Sequence, residues 1–262
     1  MTCGNTQNKR NQSMTASAIT DKGIVREQNQ DTVFSSTGPV GPLPNLFMVA
    51  DGMGGHQAGD YCSRMLISRI RDGLADSSGR LPLKALRHAI QKANDSLYEE
   101  SQADPKLSGM GSTLTAAFME DETLYVMNIG DSRLYVADVE DTVPRQVTRD
   151  HSYVEEMVSA GLMKRGSEVY NRNKNIITRA VGIGSRLEID VFEVPLEEDT
   201  EILICSDGLT NMVSDQEIGC ILREYDDVNE AAEELIRAAN GHGGRDNISV
   251  VLVRPHGKGA AV

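Results

Sequence analysis

Acidic residues recur where predicted strands begin or end. There are four such positions: Asp51-Gly52 after LFMVA, Asp131 after LYVMNIG, Asp207-Gly208 after ILICS, and Asp246-Asn247 before ISVVLV. Taken singly, each is typical of a turn, because glycine tolerates positive φ and aspartate hydrogen-bonds its own backbone. Taken together, converging carboxylates would repel one another unless a cation neutralised them. Without a His/Cys cluster, oxygen ligands favour magnesium, calcium or manganese over zinc, so the pattern predicts a divalent cation site.

Several other chemistries lack their motifs. No cysteine is followed six positions later by arginine, which excludes the loop of cysteine-dependent phosphatases. The sequence also lacks GxxxxGK[ST], HExxH and GxSxG. These absences disfavour the nucleotide-binding P-loop, the common zinc protease helix and the serine hydrolase elbow.

Short runs rich in branched residues predict the strands that would position these aspartates. The clearest are Leu46 to Ala50, Leu124 to Asn128, Ile202 to Cys205 and Ile248 to Val253, and weaker candidates are Ala16 to Thr20, Thr113 to Phe118, Leu134 to Ala137 and Ile189 to Val194. Most of them lie too close together for helical crossovers. The sheets are therefore expected to be largely antiparallel.

Helices are predicted where apolar residues recur every three or four positions. The blocks with this spacing are Met65 to Leu74, Leu83 to Leu97, Ser214 to Leu222 and Asn229 to Ala239. Ser152 with Glu155 and Ser214 with Glu217 have the separation of a capping box, which marks a helix start. No clean period runs through residues 162–186, which are expected to form an irregular loop or flap. Antiparallel strands with paired helices indicate an α+β layered domain.

Composition places the chain among globular proteins with one core. Of its 262 residues, 39% are apolar and 25% are charged. The polar segments 1–13 and 256–262 are expected to be disordered tails on either side of a single domain, residues 14–255. The formal net charge of −13 disfavours general nucleic-acid binding.

The cysteines and the apolar runs bear on location. Four scattered cysteines without a CxxC pair fit a reducing cytoplasm better than a disulfide framework. No run reaches the length of a membrane span, and the first residues lack the apolar stretch of a signal peptide. A cytoplasmic protein without a membrane segment is therefore expected.

Eight segments, in order, resemble the bacterial branch of the metal-dependent protein phosphatase 2C family. They are TDKGIVREQNQD (20–31), VADGMGGHQAGD (49–60), GMGSTLTAAF (109–118), NIGDSRLY (128–135), DHS (150–152), NIITRAVG (175–182), CSDGL (205–209) and GGRDNISVV (243–251). One Asp-Gly would carry no weight, but eight motifs in the family's order are specific. The resemblance implies an α+β fold, a four-layer αββα sandwich of two mostly antiparallel sheets flanked by helices. It makes residues 14–255 one phosphatase catalytic domain with a flap at about 162–186.

The resemblance also assigns metal ligands by motif position. The cofactor implied is Mn²⁺ or Mg²⁺, with two ions at the core and a third beside them. The implied ligands are Asp51 bridging the core ions, the Gly52 carbonyl on the second, Asp207 and Asp246 on the first, Asp31 acting on the second through water, and Asp131 with Asp207 on the third. Two ions about 3.5–4 Å apart lower the pKa of a shared water and clamp an in-line displacement.

The reaction implied is hydrolysis of phosphoserine and phosphothreonine in proteins, reversing Ser/Thr kinase signalling. The nucleophile would be a metal-bridging hydroxide that attacks phosphorus directly. Arg26, Asp51 and Asp207 are the implied catalytic residues. The planar guanidinium of Arg26 suits bidentate hydrogen bonds to phosphate oxygens, and Arg179 is a second substrate-binding candidate.

Two positions depart from the family's usual pattern. Gln30 stands where many relatives have glutamate, and altered metal affinity is expected from it. Met53 occupies the place of a histidine credited with protonating the leaving group. His56 lies three residues further on and is expected to be structural, so water would serve as the leaving-group acid. The loss would affect the rate more than the reaction class.

The implied partners are phosphorylated proteins, a cognate Ser/Thr kinase and its substrates. Basic residues of the flap could meet an acidic phosphopeptide or simply be solvated: Lys164, Arg165, Arg172, Lys174, Arg179 and Arg186. A monomer is expected. Three alternatives remain: a catalytically inactive relative that binds phosphoproteins, a phosphatase acting on anti-anti-sigma factors, and a small-molecule phosphatase. Intact metal-site aspartates argue against the first, and the RxxNQD segment with no further domain argues against the second.

Overall fold

Strands that are apolar on both faces run through the centre of the structure. The computed structural model describes residues 14–55, 58–138, 141–197 and 199–255, and the predicted tails lie outside these residues. Within the described residues the strands are β1 (Thr15–Asp21), β2 (Asp31–Ser36), β3 (Leu46–Met53), β4 (Gly111–Ser112), β5 (Leu114–Glu120), β6 (Thr123–Ile129), β7 (Arg133–Ala137), β8 (Arg145–Gln146), β9 (Asp190–Pro195), β10 (Glu201–Cys205) and β11 (Ile248–Arg254).

The strands form two sheets. One has the order β1-β11-β10-β7-β8, and the other has the order β2-β3-β5-β6-β9 with β4 paired to β3. Every pairing between these strands is antiparallel, as predicted. All eight predicted strands are present in the structure, and β2 and the two-residue strands β4 and β8 were missed.

Helices cover both outer faces of the paired sheets. They are α1 (Ala58–Ala75), α2 (Pro82–Ala103), α3 (Tyr153–Ser159), α4 (Glu168–Asn173), α5 (Asp207–Thr210), α6 (Asp215–Glu224) and α7 (Val228–Gly241). A single 3₁₀ turn, Pro105–Leu107, follows α2. In the described part of the chain, no helix is long and apolar enough to cross a bilayer.

Alternation along the central strands produces three apolar layers. In β3, Leu46, Met48 and Ala50 pack with α1 and α2, whereas Phe47 and Val49 face the opposite sheet. In β11 the even positions from Ile248 to Leu252 pack with α5, α6 and α7, and Val251 and Val253 face inward. Because successive side chains point to opposite faces, each strand serves two layers. The four-layer αββα sandwich predicted from the sequence is confirmed.

The two predicted capping boxes are half formed. The Ser152 and Ser214 hydroxyls each accept the backbone N–H three residues on, as expected. The glutamates of the two motifs bind other side chains instead of the N-cap backbone N–H. Glu155 binds Arg165 and Tyr170, and Glu217 binds His242. Stronger charged partners nearby replace the reciprocal backbone bond.

The flap is less irregular than expected. Helix α4 lies within residues 162–186, and the Ser167 hydroxyl caps it by accepting the Tyr170 N–H. The Tyr170 hydroxyl donates to Glu155 at 2.6 Å, which ties α4 to α3. Its six residues are too few to produce a recognisable period, which explains why the sequence pattern missed it.

Candidate active site

The first pair of predicted ligands meets across β2 and β3. Asp31 opens β2 and lies opposite Asp51 in the antiparallel register. Side chains of directly opposed residues share one face of the sheet, so the two carboxylates are neighbours. The backbone of Asp51 is fixed by Thr113, whose N–H donates to the Asp51 carbonyl at 2.9 Å and whose hydroxyl accepts the Asp51 N–H at 3.0 Å.

The second sheet brings its aspartates to the same end of the sandwich. Asp207 follows β10, while Asp131 and Asp246 precede β7 and β11. Because β10 is antiparallel to both neighbours, its C-terminal end lies beside their N-terminal ends. The Thr113 hydroxyl also lies 2.7 Å from the Ser132 hydroxyl, which joins the Asp51 segment to the Asp131 segment. Strand ends therefore converge as the sequence predicted.

Burial and mutual repulsion raise the pKa of the central carboxylates. Desolvation raises the pKa of Asp51 well above its usual value, and the other strand-end aspartates raise it further. Desolvation likewise raises the pKa of Asp31 to about 6, although hydrogen bonds from Ser249 and Ser206 oppose the rise. Both hydroxyls donate to one Asp31 oxygen, at 2.7 and 2.8 Å respectively. Negative charge at this site needs a counter-ion to persist at neutral pH.

The outer carboxylates behave similarly. Burial, reinforced by the carboxylates of Asp207 and Asp150, raises the pKa of Asp131 to about 8. Burial also raises the pKa of Asp207 to about 6, with Asp246 and Asp31 adding to the rise. These shifts have a common physical cause, which is several acids gathered away from water.

Unsatisfied oxygens show that the site suits a hard cation. One oxygen each of Asp31, Asp131 and Asp207 is buried without a hydrogen-bond partner. In the ranges that the structure describes, no three Asp, Glu, His or Cys side chains form a group that could enclose an ion by themselves. Mg²⁺ usually keeps several waters and takes few protein oxygens, so such an open set still fits Mg²⁺ or Mn²⁺.

Gly52 is required by close backbone packing. A Cβ at this position would lie 2.1 Å from the Gly59 carbonyl oxygen and 2.6 Å from the Gln30 carbonyl oxygen. The Gly52 N–H donates to the same Gln30 carbonyl at 3.1 Å. The start of α1 and the loop before β2 therefore press against this backbone, which makes the local geometry rigid beside Asp51.

Arg26 forms an ion pair with Asp246 at the exposed side of the site. Its guanidinium donates to Asp246 at 2.7 Å, and its side chain is 51% exposed. An exposed fork beside buried carboxylates is positioned to bind an anion that arrives from solvent.

Asn247 holds the loop that carries Arg26, a role that the sequence reasoning missed. Its amide donates to the carbonyls of Lys22 and Gln28, both at 2.9 Å, and its carbonyl accepts the Gln30 N–H at 2.9 Å. The side chain is buried and satisfies the two ends of the loop at once. The only sequence signal was its place next to Asp246.

Other polar residues of the site were also missed. Ser206 and Ser249 supply the Asp31 hydrogen bonds, and Asn211 donates to Asp207 at 2.9 Å. A serine inside the apolar run ISVVLV was the available signal, because a buried hydroxyl needs a partner.

Arg179 is engaged by flap-side carboxylates. Its guanidinium donates to Asp190 at 2.9 Å and lies 3.8 Å from Glu188. His151 completes this cluster, since its Nδ1 accepts the Gly130 N–H at 3.1 Å and its Nε2 lies 3.2 Å from Asp190. A role for Arg179 in substrate binding stays a prediction, and it would require exchange of these partners.

The two departures from the usual pattern have clear surroundings. The side-chain amide nitrogen of Gln30 packs closely against Gly59. A Cβ added at Gly59 would lie only 2.8 Å from that nitrogen. Met53 lies beside Gly111 and Ile183, and Ile183 is exposed. An apolar wall thus stands where a proton donor would be expected. His56 lies outside the described residues.

Comparison with known proteins connects this geometry to a family. The family model described as protein phosphatase 2C matches residues 24–248, which include Arg26 and every aspartate discussed above. This chain belongs to the protein phosphatase 2C family. The eight motifs identified in the sequence all lie in the one sandwich described above.

Individual members of the protein phosphatase 2C family agree closely. The serine/threonine phosphatase stp of Listeria monocytogenes is 39% identical over 248 residues, covering 92% of this chain and 95% of that protein. The structure of the Mycobacterium tuberculosis serine/threonine phosphatase PstP/Ppp has a TM-score of 0.82 and 32% identity, over 93% of this chain and 99% of that one. A PstP catalytic domain in complex with two manganese ions has a TM-score of 0.79 and 32% identity, over 92% and 97% of the two chains.

Proposed function

We infer that this chain is a metal-dependent protein phosphatase that hydrolyses phosphoserine and phosphothreonine in proteins. Membership of the protein phosphatase 2C family, the relatives' activity and a manganese-bound structural neighbour support this function. The observation that carries it is the cluster of Asp31, Asp51, Asp131 and Asp207, all of which have raised pKa values. One oxygen each of Asp31, Asp131 and Asp207 is also buried without a hydrogen-bond partner.

The metal ligands are proposed residue by residue. Asp51, the Gly52 carbonyl, Asp207 and Asp246 would hold two core ions, with Asp31 acting through water. Asp131 with Asp207 would hold a third. When bound, such ions supply Lewis acidity toward phosphate and lower the pKa of water. The proposal is supported by the partnerless oxygens and by an all-oxygen donor set, which suits Mn²⁺ or Mg²⁺.

Arg26 would bind the phosphate of the substrate. Its present partner is Asp246, and the pair is half exposed. A dianionic phosphate could take over the guanidinium, which would free Asp246 for its role as a ligand. Substrate binding and completion of the metal site are then favourably coupled.

The remaining parts of the proposal concern the whole protein. Residues 14–255 would form a single catalytic domain with the flap at 162–186. The substrates would be phosphoproteins, with a cognate Ser/Thr kinase as the opposing enzyme. The chain would act as a monomer in the cytoplasm.

Release of phosphate from a phosphothreonine peptide tests the function. Turnover is expected with Mn²⁺ or Mg²⁺ and is expected to disappear with chelator. Asp207→Asn should lower turnover by about a thousandfold or more, since it removes a ligand and a central charge. Asp72→Asn changes an exposed aspartate of α1 and is the matched control. No turnover by a folded, metal-saturated wild-type sample would overturn the proposal in favour of a binding protein.

A further inference from the structure

A cavity of about 190 Å³ lies between the flap and the catalytic core. Asp131 and Asp207 line its core side, and Tyr170 and Lys174 line its flap side. Each of these two lining aspartates has one buried oxygen without a hydrogen-bond partner. The cavity therefore concentrates negative charge on one wall.

Arg133, the cation on the core side, is already committed. It donates to Asp150 through Nε and Nη2, at 2.9 and 2.7 Å, and to the Tyr135 hydroxyl at 3.0 Å. A bidentate guanidinium–carboxylate pair leaves little net positive charge for neighbours. Arg133 consequently offsets the charge of Asp131 only in part, and the pKa of Asp131 stays raised.

Lys174 reaches the same wall from the flap. It directly follows α4, and its ammonium donates to the side-chain oxygen Oδ1 of Asn211 at 2.6 Å. The Asn211 amide in turn donates to Asp207 at 2.9 Å. Within the described ranges Lys174 forms no ion pair with a carboxylate, so its charge is directed at the cavity.

We propose that Lys174 is a flap-borne counter-ion of the Asp131–Asp207 cavity, and that it competes there with a divalent cation. This inference rests on the proposed function, because it concerns the same carboxylates. With the flap in place, the ammonium neutralises part of the charge through Asn211. A divalent ion held by Asp131 and Asp207 would repel the ammonium and weaken the Lys174–Asn211 hydrogen bond.

Competition of this kind works in both directions. If a divalent ion weakens the flap's attachment, the attached flap must weaken binding of that ion by the same factor. Lys174 is therefore a positioning residue, which acts on metal affinity and on flap attachment through Asn211. Removing its charge should improve binding of the ion.

Calorimetric titration of chelator-stripped protein with Mn²⁺ tests the proposal. Lys174→Met keeps much of the side-chain length and removes the charge, and it is expected to tighten the Asp131-dependent binding step by about fivefold or more. Lys174→Arg keeps the charge and should bind Mn²⁺ like the wild type. Lys164→Met alters an exposed flap lysine and is the matched control, with no change expected.

Two further measurements make the outcome decisive. In an Asp131→Asn background the Lys174→Met change should no longer alter Mn²⁺ affinity. Tryptic cleavage of the flap should increase on adding Mn²⁺ to the wild type, where closure and ion binding compete. Unchanged or weaker Mn²⁺ binding in a folded Lys174→Met protein overturns the inference. Wild-type protein that neither binds Mn²⁺ nor releases phosphate would instead overturn the proposed function.

Discussion

Among single residues, Arg26 shows how a side chain can serve two partners in turn. It pairs with Asp246 at 2.7 Å while half of its surface stays exposed. Exposed ion pairs contribute little to folding stability, so this contact is not needed to hold the loop. Its value lies in placing a charged fork at the mouth of the site.

Replacing Arg26 separates these two roles. Arg26→Ala should lower kcat/KM for a phosphopeptide by about 10–100-fold, because charge-assisted hydrogen bonds to phosphate are lost. The kcat/KM of Arg26→Lys should lie between those of the wild type and Arg26→Ala, since an ammonium keeps the charge but cannot bind phosphate bidentately. Steady-state kinetics and thermal unfolding measure both effects. A large fall in the unfolding midpoint with unchanged kcat/KM would show a structural role instead.

The sequence predicts the candidate metal ligands better than the residues that support them. Asp51, Asp131, Asp207 and Asp246 follow from their positions at strand ends. Ser249 and Asn247 act through hydrogen bonds to residues far along the chain, Asp31 and the loop at 22–30. A long-range partner leaves no local spacing in the sequence, so these two residues could be identified only in the folded structure.

At the scale of elements, the loop between β1 and β2 is held by one buried side chain together with backbone hydrogen bonds. Asn247 satisfies three backbone groups of that loop, and this fixes where Arg26 stands. Ile24 and Val25 add backbone bonds to Gly244, at 2.8 and 3.1 Å. The loop is therefore attached to the turn before β11 along most of its length.

Removal of that side chain should affect both stability and activity. Asn247→Ala leaves buried backbone groups unpaired and should cost about 2–4 kcal/mol of unfolding free energy. It should also lower kcat/KM, because Arg26 loses its fixed position. Asn45→Ala is the control, since Asn45 is equally buried and binds the Met119 backbone at 2.7 and 2.9 Å. It should lose stability with kcat/KM unchanged; equal kinetic effects in both variants would refute the positioning role.

Strongly apolar strands were predictable, whereas the partly polar edge strand β2 and the two-residue strands β4 and β8 were not. β10 and β11 are buried on both faces and read as continuous apolar runs. β2, with the sequence DTVFSS, lies at the edge of its sheet and is only partly buried. Its mixed polarity reflects that position. β2 forms because it pairs with β3, and a pattern within the β2 sequence alone does not reveal that pairing.

For the molecule as a whole, the acidic cluster makes stability depend on cations and pH. A carboxyl whose pKa is higher in the folded than in the unfolded protein stabilises the fold at any pH below its unfolded-state pKa. This stabilisation is lost as the pH rises towards and through the folded-state pKa. Asp131, raised from 3.8 to about 8, therefore disfavours the metal-free fold increasingly between about pH 4 and pH 8. Bound cations offset this loss.

Chelation should accordingly destabilise the protein more at pH 8 than at pH 6. With Mn²⁺ at a hundred times its dissociation constant, the unfolding midpoint at pH 8 should exceed that of chelated protein by about 5–10 °C. At pH 6 protons compete for the same oxygens and the difference should shrink. Scanning calorimetry at both pH values measures it. A difference that is equal or larger at pH 6 would contradict this electrostatic account.

The layering of the molecule was predicted, but the membership of each sheet was not. Close strand spacing and paired helices indicated an antiparallel α+β layered domain, and the family resemblance implied the four-layer sandwich. Which strands share a sheet depends on pairings such as β1 with β11, whose partners lie over two hundred positions apart. Periodicity does not contain such pairings, and the resemblance to a known family implied the layers without assigning strands to sheets.

The pairing of β1 with β11 also determines where a tether or a fused protein module can be attached to the enzyme. Thr15 lies opposite Arg254 at one end of this strand pair, and Asp21 lies opposite Ile248 at the other, beside the strand-end aspartates of the candidate site. Six residues of strand separate the two ends by about 20 Å. A tether or fused module joined near Thr15 or Arg254 thus leaves from the pole opposite the catalytic mouth. The length of such a tether would determine the distance over which the enzyme reaches its substrates. The tether would not block access of a phosphorylated substrate to the site.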